Sequence, residues 1–353
     1  MAYFIPIVLL LHGLIHAIGW LRPNNHSAGV VGRFPWMAAC ILFIAAAVIA
    51  WTGRNWWFGL AAPAVVLSQV LIFIEWKTAK AGTLVNLFIL LAIATAVGND
   101  RFEAGFRKDV SRSLDRGVSS ARMIDPKDLN ALPAIVRRYI LYTGAAGKPV
   151  PQNMQVVLSG EMRSKQKDWF PFTSVQFNGF ENPTRFFFMK GKMGGLVVPG
   201  YHHYIRGEAV MDIRLFGIIP VMQASGTVMN TTETVTLFNE WCLMAPGRLT
   251  DKRIHWYPGK DSLQADAVFT NDNISIRATL LFNKDAQLIN FISNDRTEIN
   301  TRQQLPFSTP CGKYKNFNGC LLPSEALAVW QYPEGSFAYG RFRIVSVDYD
   351  VHP

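Results

Sequence analysis

Apolar residues follow two different periods along this chain, and the change comes near residue 99. Before it lie four long runs almost without charge, at 2–21, Phe34–Trp51, 56–74 and 83–98. Only Arg22, Arg33, Arg54, Glu75, Lys77 and Lys80 are charged there. A helix of about 20 residues spans the ~30 Å hydrocarbon layer, with ~17 as a lower limit. The first three runs reach that length and the fourth comes close. Trp20, Trp36, Trp51, Trp56, Trp57 and Trp76 fall at run ends, where amphipathic rings favour the headgroup layer. The first run lacks the basic flank of a signal peptide. The pattern predicts four transmembrane helices.

Beyond residue 98 the character changes. Residues 99–130 carry seven basic and six acidic side chains. Phe102, Phe106, Val110, Leu114 and Val118 recur every four residues, which on a helix makes a narrow apolar stripe. Arg101, Arg107, Lys108 and Arg112 flank it. Such a helix either lies on an anionic membrane surface or is a stalk packed on the next domain. A second helix is expected over 132–143, with Pro133 in its first turn and Gly144 as its stop. Ile135, Val136, Tyr139 and Ile140 form its apolar face.

The period then becomes two. Strands are expected at 154–163, 174–180, 184–190, 196–205 and 209–216, then at 263–270, 274–282, 288–293, 326–332 and 337–349. A single helix, 232–244, interrupts them. Gly, Pro and Asn punctuate the runs, as at Gly194-Gly195, Asp272-Asn273 and Asn318-Gly319. Connections this short do not allow repeated parallel crossovers. The expected fold is a membrane α-helical bundle of four transmembrane helices followed by an α+β domain. Its sheet is curved and mostly antiparallel, with one or two helices packed on it. The expected domains are 1–98, a charged amphipathic connector at 99–130, and the sheet domain at 131–353.

Composition sharpens this picture. Half of the 353 residues are hydrophobic and 17% are charged, against about a quarter in soluble proteins; the mean hydropathy is +0.14. Disordered and fibrous chains are excluded, and four cysteines exclude a disulfide scaffold. A turn at Phe317-Asn318 would pair Lys315 with Cys320 and set Cys311 across from Ser324, which argues against a Cys311–Cys320 bridge. The net charge of +10 suggests an anionic partner. Basic residues and aromatics alternate across strands without forming a nucleic-acid module, so membrane lipids are the expected partner and nucleic acid is not.

Certain strings carry a resemblance. Leu11-His12-Gly13-Leu14-Ile15-His16 with Gly19, Ser68-Gln69, and 76–83 with Asn86 resemble the opening of a bacterial membrane-protein family of unknown function. Its members usually carry Asp where Thr78 stands. The sheet half resembles the same family at Trp169-Phe170-Pro171-Phe172, at Tyr204 through Gly207-Glu208 to Met211, and at 240–246. Further matches are Ile254-His255-Trp256, Asp295-Arg296 and 339–349. The resemblance implies four N-terminal transmembrane helices and a C-terminal antiparallel sheet, and no activity. The sheet-plus-helix pattern is also similar to bacterial lipoprotein-carrier folds, a likeness of fold from which no function follows.

Candidate chemistry is sparse. His12 and His16 share one face of the first helix; they would serve either a metal, proton or quinone-like site or hydrogen bonding to Ser68, Gln69 or Asn86. The latter is favoured. His202 and His203 point to opposite faces of a strand, so no metal centre is expected, and no cofactor motif is present. Glu240 inside an apolar helix, and Arg296 beside Asp295, are the most telling polar groups: a headgroup site or a structural ion pair. With Tyr201, Trp241, His255 and Trp256 they make up the candidate ligand site. Phe186, Phe188, Trp241 and Trp256 are expected to point inward.

The favoured reading is a membrane-anchored, non-catalytic module that binds a hydrophobic or lipid-like ligand. The alternatives are an enzyme acting on a membrane-embedded substrate and an interaction module. A multi-pass protein of the bacterial cytoplasmic membrane is expected. Arg54, Arg101, Arg107, Lys108 and Arg112 outnumber Arg22, Arg33, Lys77 and Lys80 by one, which puts the sheet domain on the cytoplasmic side.

Overall fold

In the computed structural model, which describes residues 3–21, 32–114, 122–299 and 301–352, the apolar runs are helices. They are α1 (Phe4–Leu21), α2 (Phe34–Trp51), α3 (Phe58–Ile74) and, after the short α4 (Trp76–Ala79), α5 (Gly82–Leu114). With the 3-10 turn before α3, four of these helices are long and apolar enough to cross a membrane. Arg22 and Val118 lie outside the described residues.

The chain divides into two compact units. One is Met1–Phe102 with Phe216–Ile218; the other is Glu103–Leu215 with Ile219–Pro353. The expected break at residue 98 is not a break in the backbone. α5 runs unbroken from the fourth apolar run into the charged stripe, because charged residues propagate a helix as well as apolar ones do. Two short helices follow, α6 (Pro126–Asn130), capped by Asp125, and α7 (Ala134–Tyr142), which ends before Gly144 at φ +69°.

The strands are β1 (Asn153–Met162), β2 (Phe170–Gly179), β3 (Thr184–Met193), β4 (Leu196–Ile205), β5 (Glu208–Leu215) and β6 (Ile219–Ser225). Helix α8 (Thr227–Met244) intervenes, followed by β7 (Ile254–Pro258), β8 (Gln264–Asn271), β9 (Ile274–Phe282) and β10 (Leu288–Ser293). Then come β11 (Thr297–Glu298), β12 (Gln303–Gln304), β13 (Phe307–Phe317), β14 (Cys320–Tyr332) and β15 (Gly335–Tyr349). Thirteen form one sheet in the order β6-β5-β4-β3-β2-β1-β15-β14-β13-β10-β9-β8-β7, with antiparallel pairing between neighbours.

Strands β6, β7 and β13 were not expected. Pro220 in β6 and Pro310 and Gly312 in β13 interrupt the alternation that marks a strand, and β7 is only five residues long. The β13–β14 turn is Asn318-Gly319 rather than Phe317-Asn318. Both residues have positive φ, +47° and +84°, as a two-residue hairpin turn requires. Phe317 therefore pairs with Cys320, Lys315 with Leu322 and Cys311 with Ala326; Cys311 and Cys320 are free thiols.

Helix α8 lies on one face of the sheet and is buried almost all round, as an element enclosed by apolar neighbours must be. Trp241, Phe238, Leu237 and Val235 are fully buried. Phe238 stacks on Phe269 of β8 at 5.0 Å and Trp241 meets Phe269 at 5.1 Å. Tyr139 of α7 donates to the Cys242 carbonyl at 2.8 Å.

The last turns of α5 cover the opposite face. Phe106 packs on Phe188 and Tyr201 at 5.7 and 5.8 Å. Lys190 reaches Glu103 at 2.6 Å, and the Tyr201 hydroxyl donates to Asp109 at 2.9 Å. The stripe is thus a stalk helix packed on strands. Phe188, and with it Phe186, faces away from α8, whereas Arg185 and Phe187 face it. Three consecutive phenylalanines conceal the register that decides this.

Candidate functional site

Helix α8 holds the polar groups over the β2–β4 face. Glu233 and Glu240 stand two turns apart and so share one side of the helix. Below them, alternation turns Gln176 and Asn178 of β2, Arg185 of β3 and His202 of β4 toward the same space. Arg185 Nε donates to Glu240 Oε1 at 2.8 Å and Oε2 at 3.0 Å, and its Nη1 donates to Glu233 Oε2 at 3.0 Å. Asn178 donates to Glu240 at 3.0 Å, and Gln176 donates to Asn178 at 2.6 Å. The three charged side chains are nearly sealed, with 5–11% of their surface exposed.

Burial pushes the Glu240 carboxyl up, against the pull of Arg185 and Asn178. Burial also works against charge on Arg185, but Glu240 and Glu233 outweigh it and hold the guanidinium above its ordinary value. His202 lies 4.0 Å from Glu233. Burial pushes its imidazole down to about 4, with Glu233 opposing and Arg185 and Arg296 contributing. A general acid or base must reach a substrate proton. Both carboxylates are instead occupied by one guanidinium beneath a helix, so the cluster ties helix to sheet.

Arg296, just after β10, is built differently. Its guanidinium lies 4.1 Å from the Phe307 ring centroid and 5.4 Å from that of Trp330. Trp330 stacks on Tyr339 at 5.9 Å. Among the described residues no carboxylate stands within ion-pair distance of Arg296, and its buried Nε has no partner. Asp295 turns elsewhere, accepting from the Arg277 amide at 2.6 Å.

The remaining candidates separate. Trp241 is fully buried between Phe180 and Phe269, under the guanidinium of Arg248. Trp256 is half-buried and donates to the Leu249 carbonyl at 3.1 Å. His255, next to it on the edge strand β7, is exposed. Tyr201 lies on the α5 side. Arg185, Glu233, Gln176 and Asn178 escaped the sequence reading; the usable signal was the seven-residue spacing of Glu233 and Glu240, with one arginine directly before the apolar run Phe186-Phe187-Phe188-Met189. Among the described residues no three His, Cys, Asp or Glu side chains converge as metal ligands would.

In the helical unit, His12 Nε2 meets Asn86 Oδ1 at 2.9 Å and Ser68 at 3.3 Å, and His16 Nε2 meets Ser68 at 2.9 Å. Asn86 also donates to Gln69 at 3.1 Å. These bonds join α1 to α3 and α5.

Apolar N-terminal helices followed by a large antiparallel sheet domain define the class of architecture. The chain belongs to the family of unknown function DUF6544, whose model matches residues 122–342, within the sheet half. No curated protein matches the chain. Among solved structures, a LolA superfamily protein from Nitrosomonas europaea is similar at 8% identity and a TM-score of 0.36, over 62% of this chain and 94% of that one.

Proposed function

We propose that this chain is a multi-pass protein of the bacterial cytoplasmic membrane whose sheet domain binds an amphipathic, lipid-like ligand without transforming it. Arg296 is the observation that carries the reading. It is a cation seated on aromatic rings, with a buried donor unused and, among the described residues, no carboxylate paired to it, and it suits an anionic headgroup. Half-buried apolar side chains of the strands, such as Met162, Ile213 and Phe342, offer surface to an acyl chain.

A curved sheet is part of the proposal. Asn271 of β8 donates to the Tyr204 hydroxyl of β4 at 2.8 Å, yet these strands are third and twelfth in the sheet order. In a flat sheet nine spacings of about 4.8 Å would hold them ~43 Å apart. The sheet domain is placed on the cytoplasmic side, on the basic-residue balance across the four helices.

The test is mass spectrometry of lipid co-purified with the full chain. A single anionic lipid class in stoichiometric amount is expected, lost in Arg296→Gln while the thermal transition persists. Trp241→Glu does not suit this test, because a carboxylate in the core unfolds the domain. Bulk lipid in equal amount in both proteins would overturn the reading.

A further inference from the structure

Antiparallel alternation places the β1–β2, β3–β4, β5–β6 and β14–β15 connections at one end of the sheet, since β1 and β15 pair with Met162 opposite Gly340. This end is built unlike an ordinary solvated rim. The two adjacent hairpins β3–β4 and β5–β6 expose large apolar side chains: Met193 42%, Leu196 43%, Val197 37%, Ile218 50%, Ile219 53% and Val221 56%. Contiguous apolar exposure of this kind marks an interaction surface.

Beside them stand cations laid on aromatic rings. Trp169 lies between Arg163 and Arg341, at 4.4 and 4.1 Å from its centroid, and Lys165 lies 3.3 Å from the Tyr332 ring. Across 161–169, 192–197, 214–219 and 333–341, six residues are basic and three, Glu161, Asp168 and Glu334, are acidic. Exposed aliphatic tips ringed by Trp, Tyr and basic side chains match the composition that settles at a bilayer surface.

We infer that this sheet end docks on an anionic bilayer, with the β3–β4 and β5–β6 tips entering the headgroup layer. The charge balance selects a bilayer as occupant, since six basic against three acidic side chains complement anionic lipid. The inference rests on the membrane-spanning reading of the four apolar helices and is independent of any ligand on the inner sheet face.

The test uses the full chain in vesicles of phosphatidylcholine and phosphatidylglycerol. An environment-sensitive fluorophore is attached at Leu196→Cys, at Val221→Cys, or at Asn182→Cys in the β2–β3 turn of the other sheet end. Labelling of the native thiols is subtracted using the wild-type chain. Lipid-borne spin labels should quench positions 196 and 221 several-fold more than 182, and aqueous iodide should do the reverse. Equal iodide access at all three positions would overturn the inference. So would shielding of 196 and 221 from both quenchers, which would mean a second protein copy covers them. Retention after carbonate washing reports separately on membrane spanning, and co-purified lipid reports separately on the ligand.

Discussion

Arg185 of β3 and Glu240 of α8 meet side chain to side chain at 2.8 Å across 55 residues of sequence, with Glu233 completing a two-carboxylate grip on one guanidinium. Glu240 is thus paired with Arg185 and not with Arg296.

Removing that guanidinium should be costly. Arg185→Met leaves two buried carboxylates without their cation, and breaking a buried pair costs about 3–5 kcal/mol. Adding Glu233→Gln and Glu240→Gln should restore most of that stability. Denaturant midpoints of the three proteins check this; a triple variant no more stable than Arg185→Met would mean that the missing packing, not the charge, dominates.

Acid should weaken the domain through His202. Its folded value is about 4 because of burial, against an ordinary 6.5. Below pH 6.5 the unfolded chain binds a proton that the folded chain refuses until about pH 4. This stability is therefore complete above 6.5 and is lost as pH falls toward 4. A fifth of the ring is exposed, which brings the contribution to roughly 2 kcal/mol. Denaturation of the wild type and His202→Gln at pH 7 and pH 4.5 should show the smaller loss in the variant.

The sheet domain should fold best when cut before Glu103. A fragment starting at residue 131 lacks the α5 turns that bring Phe106 onto Phe188 and Tyr201. Exposing that apolar surface, without the Asp109 hydrogen bond and the Glu103 ion pair, should cost about 3 kcal/mol. Urea unfolding of 103–353 and 131–353 measures the difference; equal midpoints would refute the stalk role of α5.

In the helical unit, His12→Gln with His16→Gln should lower bundle stability by about 0.6–2 kcal/mol for each interhelical hydrogen bond removed. Thermal denaturation in detergent reads this. Stoichiometric metal or haem bound to the wild type and absent from the variant would instead assign the pair to a ligand site.

Sequence alone determined the helices long enough to cross a membrane, the switch to period two, and the helix-on-sheet class. Each is a local property, read from the spacing of apolar residues within one element. It also singled out His12, His16 and Glu240, because an ionisable group in an apolar setting needs a partner wherever it lies, and Arg296 for standing beside Asp295. Which partner was decided by the tertiary structure. Arg185 reaches Glu240 only because β3 presents it on the α8 face, and the run Phe186-Phe187-Phe188 carries no alternation from which that face could be told. Phe106 and Tyr201 were likewise joined by packing between elements distant in sequence. The separation of Tyr201 and His255 from Glu240 follows from strand register, which pairing between strands sets and no single strand encodes.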